Sequence, residues 1–108
     1  MVMIFSSEKA REFLLKNGLV YTYRMKQRKQ IGDDWMTDKR GGHKITDILV
    51  YPGSFVVSEI QLLGYVNQSG FSSLRDWLNE IALLTHADKD NMSLCGWLYK
   101  VTLRKEVS

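Results

Sequence analysis

The chain has 108 residues, 44 % of them apolar, and a formal net charge of +3, values typical of one globular domain rather than a disordered segment. No apolar run approaches the roughly 20 residues of a membrane-spanning helix, so we expect no membrane partner. The one cysteine, Cys95, has no second cysteine to pair with, which favours a reducing, cytoplasmic location.

The first helix is predicted from its two ends. Residues 2–5 form a short apolar run typical of a strand or a core anchor, and Ser6 after it is a suitable N-cap. The helix ends at Asn17 and Gly18, because glycine adopts the left-handed C′ conformation without steric cost. Its apolar face holds Ala10, Phe13 and Leu14.

Residues 19–26 predict a strand with two chemically different faces, because successive side chains of a strand point to opposite sides. One face is apolar and aromatic, with Leu19, Tyr21, Tyr23 and Met25. The other face holds Val20, Thr22, Arg24 and Lys26. We expect the first face to pack on the core and the second to bind a ligand that carries phosphates or polar base edges.

Residues 27–44 lack a sustained period and contain three glycines, which predicts a long loop. The basic character of the chain is concentrated from Arg24 to Lys44, where seven basic residues stand against three aspartates. Within the loop, Trp35 is either an anchor or an open stacking platform. Gly41 and Gly42 allow either an anion-binding loop or a hairpin turn.

The second half of the chain predicts three strands and a helix. Residues 45–51 and 55–66 read as two strands joined in a hairpin by the turn pair Pro52 and Gly53. A capping box at Ser73 begins a helix with one apolar stripe, and residues 97–103 alternate as the last strand. The stripe consists of Leu74, Trp77, Leu78, Ile81 and Leu84. Trp77 and Trp97 are accordingly predicted in the core.

This order predicts an α+β fold with a small, mostly antiparallel β-barrel and two flanking helices, as a single domain over residues 1–108. The segments that carry a family likeness are NGLVYTYR, VVSEIQLLGY, SGFSSLRDWLNEIALL and WLYKVTL. Together they resemble the ASCH domains of the PUA-like superfamily, in which a helix precedes a strand ending in arginine and a Gly-Phe turn leads into an amphipathic helix.

The resemblance implies a nucleic-acid or nucleotide cleft beside residues 19–26. In the family's strand motif G-x-K-x-x-E-x-R, Arg24 matches the arginine, whereas Asn17, Leu19 and Thr22 stand at the glycine, lysine and glutamate positions. Some family members hydrolyse acylated cytidine with a lysine, a threonine and a glutamate. Thr22 can match that threonine, but Leu19 replaces the lysine, so the resemblance does not imply enzymatic activity here.

We therefore predict a domain that binds RNA, a nucleotide or a modified base in a basic cleft. Its predicted binding residues are Thr22, Arg24, Lys26, Arg28, Lys29, Trp35, Lys39, Arg40 and Lys44. One alternative is a small hydrolase or ribonuclease with Thr22 or Glu59 as catalytic candidates and Asp47 as another possible base. A second is a protein-interaction module with a basic docking face. For Arg24, the competing interpretation is a structural ion pair with Asp47 or Glu59.

The sequence predicts neither a metal site nor a cofactor. His43 and His86 lie far apart, and Cys95 has no histidine or cysteine at metal-ligand spacing. Cys95 is better explained as a small buried filler than as a nucleophile. Glu59 is flanked by apolar residues, so we expect it to be buried beside Arg24.

Overall fold

Six strands and three helices make up the described part of the computed structural model, which covers residues 2–5, 7–25, 27–29, 31–85 and 95–104. The strands are β1 (Val2–Ile4), β2 (Leu19–Arg24), β3 (Gly32–Thr37), β4 (Thr46–Val50), β5 (Ser54–Val56) and β6 (Gly96–Leu103). The helices are α1 (Glu8–Asn17), α2 (Glu59–Leu63) and α3 (Leu74–Thr85), with a 3₁₀ turn at Val66–Gln68.

The strands form one curled mixed sheet in the order β1-β3-β4-β6-β2. Only β1 and β3 run parallel among these described pairs, and the others are antiparallel. The sheet curls into a half-barrel whose two edges are β1 and β2. The predicted α+β class is confirmed, and the curled sheet is compatible with a small barrel. We refer below to the gap between β1 and β2 as the seam.

The hairpin predicted at Pro52 and Gly53 is wrong. Strands β4 and β5 instead follow one another along the same side of β6, with Val50 opposite Val101 and Ser54 opposite Leu98. Between them the chain passes over the ring of Tyr99, where a Cβ atom on Gly53 would lie 2.6 Å from a ring carbon. Pro52 and Gly53 therefore lie in the break between β4 and β5.

The long strand predicted over residues 55–66 is wrong. Strand β5 ends at Val56, and helix α2 follows it. The side chain of Gln61 ends the strand, since its Oε1 accepts hydrogen bonds from the backbone N–H of Val57 at 2.7 Å and of Ser58 at 3.1 Å. Ser58 and Gln61 form a capping box for the helix that follows. Helix α2 ends at Gly64.

The loop predicted over residues 27–44 contains strand β3, so this prediction is also wrong. Gly32 and the two aspartates after it have low strand propensity. The strand forms because it pairs with neighbours on both sides, through Trp35 opposite Val2 and Met36 opposite Thr46. Pairing with two distant segments therefore stabilises β3, although its local sequence disfavours a strand.

Helices α1 and α3 form where their periodicity predicts them. Ser7 caps α1, one residue after the predicted Ser6, which lies outside the described residues, and Gly18 ends the helix at φ 80°. Ser73 Oγ accepts a 3.1 Å hydrogen bond from the N–H of Asp76 at the start of α3. The side chain of Leu84 lies outside the described set. No helix in the described residues combines the length and the apolar character needed to cross a membrane.

Two apolar clusters cover opposite faces of β2 and β6. The first lies between the sheet and α1 and includes Val20 and Tyr99. The second lies under α2 and α3 and includes Leu98 and the buried Trp77, with Tyr21 partly buried against it. Both faces of β2 are therefore covered, which corrects the prediction of one core face and one open ligand face.

Candidate functional site

A cavity of about 470 Å³ lies at the seam of the half-barrel. The end of β1, at Ile4 and Phe5, lines one side of it, and residues 21–25 line the other. Because β1 and β2 are opposite edges of the sheet, the cavity occupies the place where a closed barrel would pair them. Its volume falls within the range of small-molecule pockets, about 300 to 1,000 Å³.

Helix α3 and the turn before it close the cavity. Trp77, Glu80 and Ile81 line it, because residues at i, i+3 and i+4 share one face of a helix. Phe71 also lines it, and the turn that carries Phe71 is pressed against α1. At Gly70 a Cβ atom would lie 2.6 Å from the backbone oxygen of Lys9, so only glycine fits there.

The free edge of β2 presents backbone polar groups toward the cavity. The N–H of Leu103 donates to the carbonyl of Gly18 at 3.1 Å, and antiparallel pairing alternates from that point along β2. The N–H and C=O groups of Tyr21 and Tyr23 therefore point away from β6. They are available to hydrogen-bond a ligand at the seam.

Arg24 supplies an unbalanced positive charge at the cavity. Its guanidinium carbon lies 4.9 Å from the centre of the Phe5 ring, and its buried Nε has no hydrogen-bond partner in the described part of the chain. Burial, and after it the nearby charge of Arg28, lowers the pKa of Arg24 from its usual value to about 10. The side chain is still charged at neutral pH.

Arg28 lies at the same end of the cavity, but its charge is balanced. Its guanidinium forms an ion pair and hydrogen bond with the carboxylate of Asp34, which is almost fully buried. Its backbone N–H donates to the hydroxyl of Tyr99 at 2.6 Å. These contacts fix the segment after β2 against the sheet. Among the described residues, the net charge at this end of the cavity therefore comes from Arg24.

Glu80 is a cavity carboxylate that is not among the residues predicted from the sequence. It is half-buried on α3, lines the cavity, and has no hydrogen bond or ion pair to any of the described residues. The signal that could have found it is its spacing, three residues after Trp77 at the edge of an otherwise apolar stripe. Phe71 is also not predicted as a cavity residue. Its position there depends on the contact of its turn with α1, which no local pattern shows.

Comparisons with protein-family models, curated proteins and solved structures gave no match. The resemblance to ASCH domains therefore stays a prediction from the sequence.

The structure brings together three of the predicted binding residues, since Thr22, Arg24 and Arg28 all line the cavity. Lys26 lies outside the described residues. The other predicted binding residues do not line this cavity: Lys29, Trp35, Lys39, Arg40 and Lys44. Trp35 lies in β3 on the face opposite the buried Met36, and the basic residues at 39 and 40 are exposed in the turn between β3 and β4.

Several expectations about individual side chains are corrected. Glu59 is exposed in the first turn of α2 and does not line the cavity beside Arg24. Asp47 pairs with Lys44 at 2.6 Å, so neither acidic residue is a partner of Arg24. Cys95 is exposed rather than a buried filler. The catalytic candidates Thr22 and Glu59 are consequently not brought together at the cavity.

The two tryptophans predicted in the core both pack there. Trp77 is only 3 % exposed in the second cluster, and Trp97 is partly buried against the first. Among the residues that the structure describes, no three histidine, cysteine, aspartate or glutamate side chains come close enough to hold a metal ion.

Proposed function

We propose that this domain binds a nucleotide, either free or as an unstacked or modified base of RNA, in the cavity at the seam. The observation that carries the proposal is the unpartnered Nε of Arg24 beside an apolar, aromatic cavity. A buried cation without a partner costs stability unless something else pairs with it. A phosphate group can pair with it, because a guanidinium donates two parallel hydrogen bonds to its oxygens.

The rest of the cavity suits the flat part of such a ligand. Phe71, Tyr21 and Tyr23 provide aromatic surface on which a base can stack, an interaction that contributes about 1 to 3 kcal/mol per base. The hydroxyl of Thr22 and the backbone groups at the free edge of β2 offer hydrogen bonds to polar base edges. This arrangement favours a single base inserted into the cavity over an RNA backbone that tracks along a flat surface.

Calorimetric titration with the four common nucleoside 5′-monophosphates and their nucleosides tests the proposal. We expect a monophosphate to bind at least about tenfold more tightly than its nucleoside, the usual contribution of hydrogen bonds to a charged group. Arg24→Met should remove that difference. Arg40→Met, which removes an exposed arginine outside the cavity, should leave it unchanged.

Two results would overturn the proposal. One is the absence of binding by every nucleotide and by a short single-stranded RNA at millimolar concentration. The other is equal affinity for nucleoside and monophosphate in the wild-type protein. A thermal melt of each variant checks that it folds before its affinity is compared.

A further inference from the structure

Two unpartnered groups of opposite charge line the same cavity. Arg24 approaches from β2 and Glu80 from α3, and within the described residues they do not pair with each other or with any other charged side chain. The buried Nε of Arg24 is costly to leave without a partner, and the half-buried carboxylate of Glu80 lies on the wall of the same cavity. The two groups therefore call for two features in one ligand. It should carry an anionic group beside Arg24 and hydrogen-bond donors beside Glu80.

The carboxylate of Glu80 restricts the kind of base. An ionised carboxylate only accepts hydrogen bonds, through two oxygens at a fixed separation. On their Watson–Crick edges, adenine and cytosine each offer a donor next to a ring-nitrogen acceptor, and uracil offers one donor between two carbonyl acceptors. Guanine offers two adjacent donors, N1–H and the N2 amino group. Every other common base would bring an acceptor close to the carboxylate.

We infer that the cavity selects guanine, with Glu80 accepting two hydrogen bonds from the guanine edge while Arg24 holds the phosphate. Glu80 is a specificity-determining residue in this arrangement. The inference rests on the proposed nucleotide-binding function and adds to it the identity of the base. A bidentate contact of this kind discriminates between bases by about 1 to 3 kcal/mol, which corresponds to roughly 5-fold to 150-fold in affinity.

The first experiment uses the wild-type protein and five ligands. Calorimetric titration should give the tightest binding for GMP and at least fivefold weaker binding for AMP, CMP and UMP. Inosine monophosphate keeps the N1–H but lacks the amino group, so it should bind between GMP and the others. This comparison needs no variant and is independent of any effect on folding.

The second experiment changes Glu80. In Glu80→Gln the side chain presents one acceptor and one donor, a pattern that matches adenine better than guanine. We expect the ratio of GMP to AMP affinity to fall at least tenfold, whereas the exposed-site control Glu12→Gln should leave the ratio unchanged. A thermal melt confirms that both variants fold.

The outcomes separate this inference from the function on which it rests. Equal binding of all four monophosphates, with the dependence on Arg24 retained, would overturn the guanine assignment and leave nucleotide binding in place. A preference for GMP that survives Glu80→Gln would also overturn it. If no nucleotide binds, both the assignment and the proposed function are wrong.

Discussion

The chain has two basic regions, the residues at the seam and the turn between β3 and β4, and they differ in environment. At the seam, Arg24 is half-buried and lines the cavity, and its buried Nε has no hydrogen-bond partner among the described residues. In the turn, Lys39 and Arg40 are exposed, and Lys44 pairs with Asp47. The number of charges is similar, but of the two regions only the seam holds a buried donor that is left without a partner in the described part of the chain. That difference, more than the local density of lysine and arginine, distinguishes a candidate site from an ordinary solvated surface.

The two regions also contain glycines that can be compared directly. Gly70 has φ +91° and faces the backbone of α1, whereas Gly41 has φ +76° and faces open space. We expect Gly70→Ala to lower the free energy of unfolding by about 2 to 4 kcal/mol, because a clash adds to the backbone strain. Gly41→Ala should lower the free energy of unfolding by only about 1 kcal/mol, because it adds backbone strain without a clash.

Urea unfolding of the two alanine variants measures this contrast. Similar losses for both would mean that the turn at residues 69–71 is not held against α1 and that Phe71 does not form a wall of the cavity.

Replacing the buried charge itself should stabilise the fold. Arg24→Met removes an unsatisfied buried donor, which costs about 1 to 3 kcal/mol, and loses a cation–π contact with Phe5 that contributes about 0.5 to 1 kcal/mol. We therefore expect the free energy of unfolding to rise by about 1 kcal/mol. In the turn, Lys44→Met breaks an ion pair between partly exposed side chains and should lower it by less than about 1 kcal/mol. Denaturant titration of the two variants gives both values.

A structural ion pair at Arg24 predicts the opposite sign. Loss of stability by several kcal/mol in Arg24→Met would indicate that the guanidinium holds the fold together, and the nucleotide proposal would lose its main support. Greater stability combined with lost binding would fit a residue kept for function.

The sequence predicts the elements whose signals are local. Helix α1, helix α3 and strand β6 follow from periodicity, caps and alternation, and all three form close to the predicted residues. Strand β3 is not predicted because its stability comes from β1 and β4, its partners in the sheet. Helix α2 is missed because five residues are too few to establish a helical period.

The site is predictable to a similar extent. Thr22 and Arg24, predicted from alternation along residues 19–26, do line the cavity, but so do Tyr21 and Tyr23 from the face that was predicted to pack only on the core. The sequence does not reveal that β2 is an edge strand, which decides that a cavity forms beside it. Glu80 and Phe71 come from a segment about 50 residues away, so no local pattern connects them to Arg24.

The pH dependence of the free energy of unfolding should show a smaller effect, which tests the burial of the Arg24 guanidinium. Its pKa is lowered to about 10 in the folded protein, so the unfolded chain keeps this proton to higher pH. Above about pH 10 the unfolded state binds more protons, and the stability of the wild type rises relative to Arg24→Met. We expect the advantage of the variant at pH 8 to shrink by pH 11, by no more than about 1.4 kcal/mol for each pH unit. Urea titrations of both proteins at the two pH values measure it, and a constant difference would indicate a solvated arginine.

The smallest expected effect concerns the salt dependence of RNA binding, which separates the seam from the turn most directly. For single-stranded RNA the logarithm of the affinity falls with the logarithm of the salt concentration by about 0.7 for each phosphate contacted. If Arg24 alone contacts a phosphate, anisotropy titrations of a labelled single-stranded RNA between 50 and 200 mM salt should give a slope near −0.7. The double variant with Lys39→Met and Arg40→Met should leave that slope unchanged, since neither residue lines the cavity. A wild-type slope near −3 that becomes shallower in the double variant would instead show that RNA lies across the turn, and the cavity at the seam would not be the main contact surface.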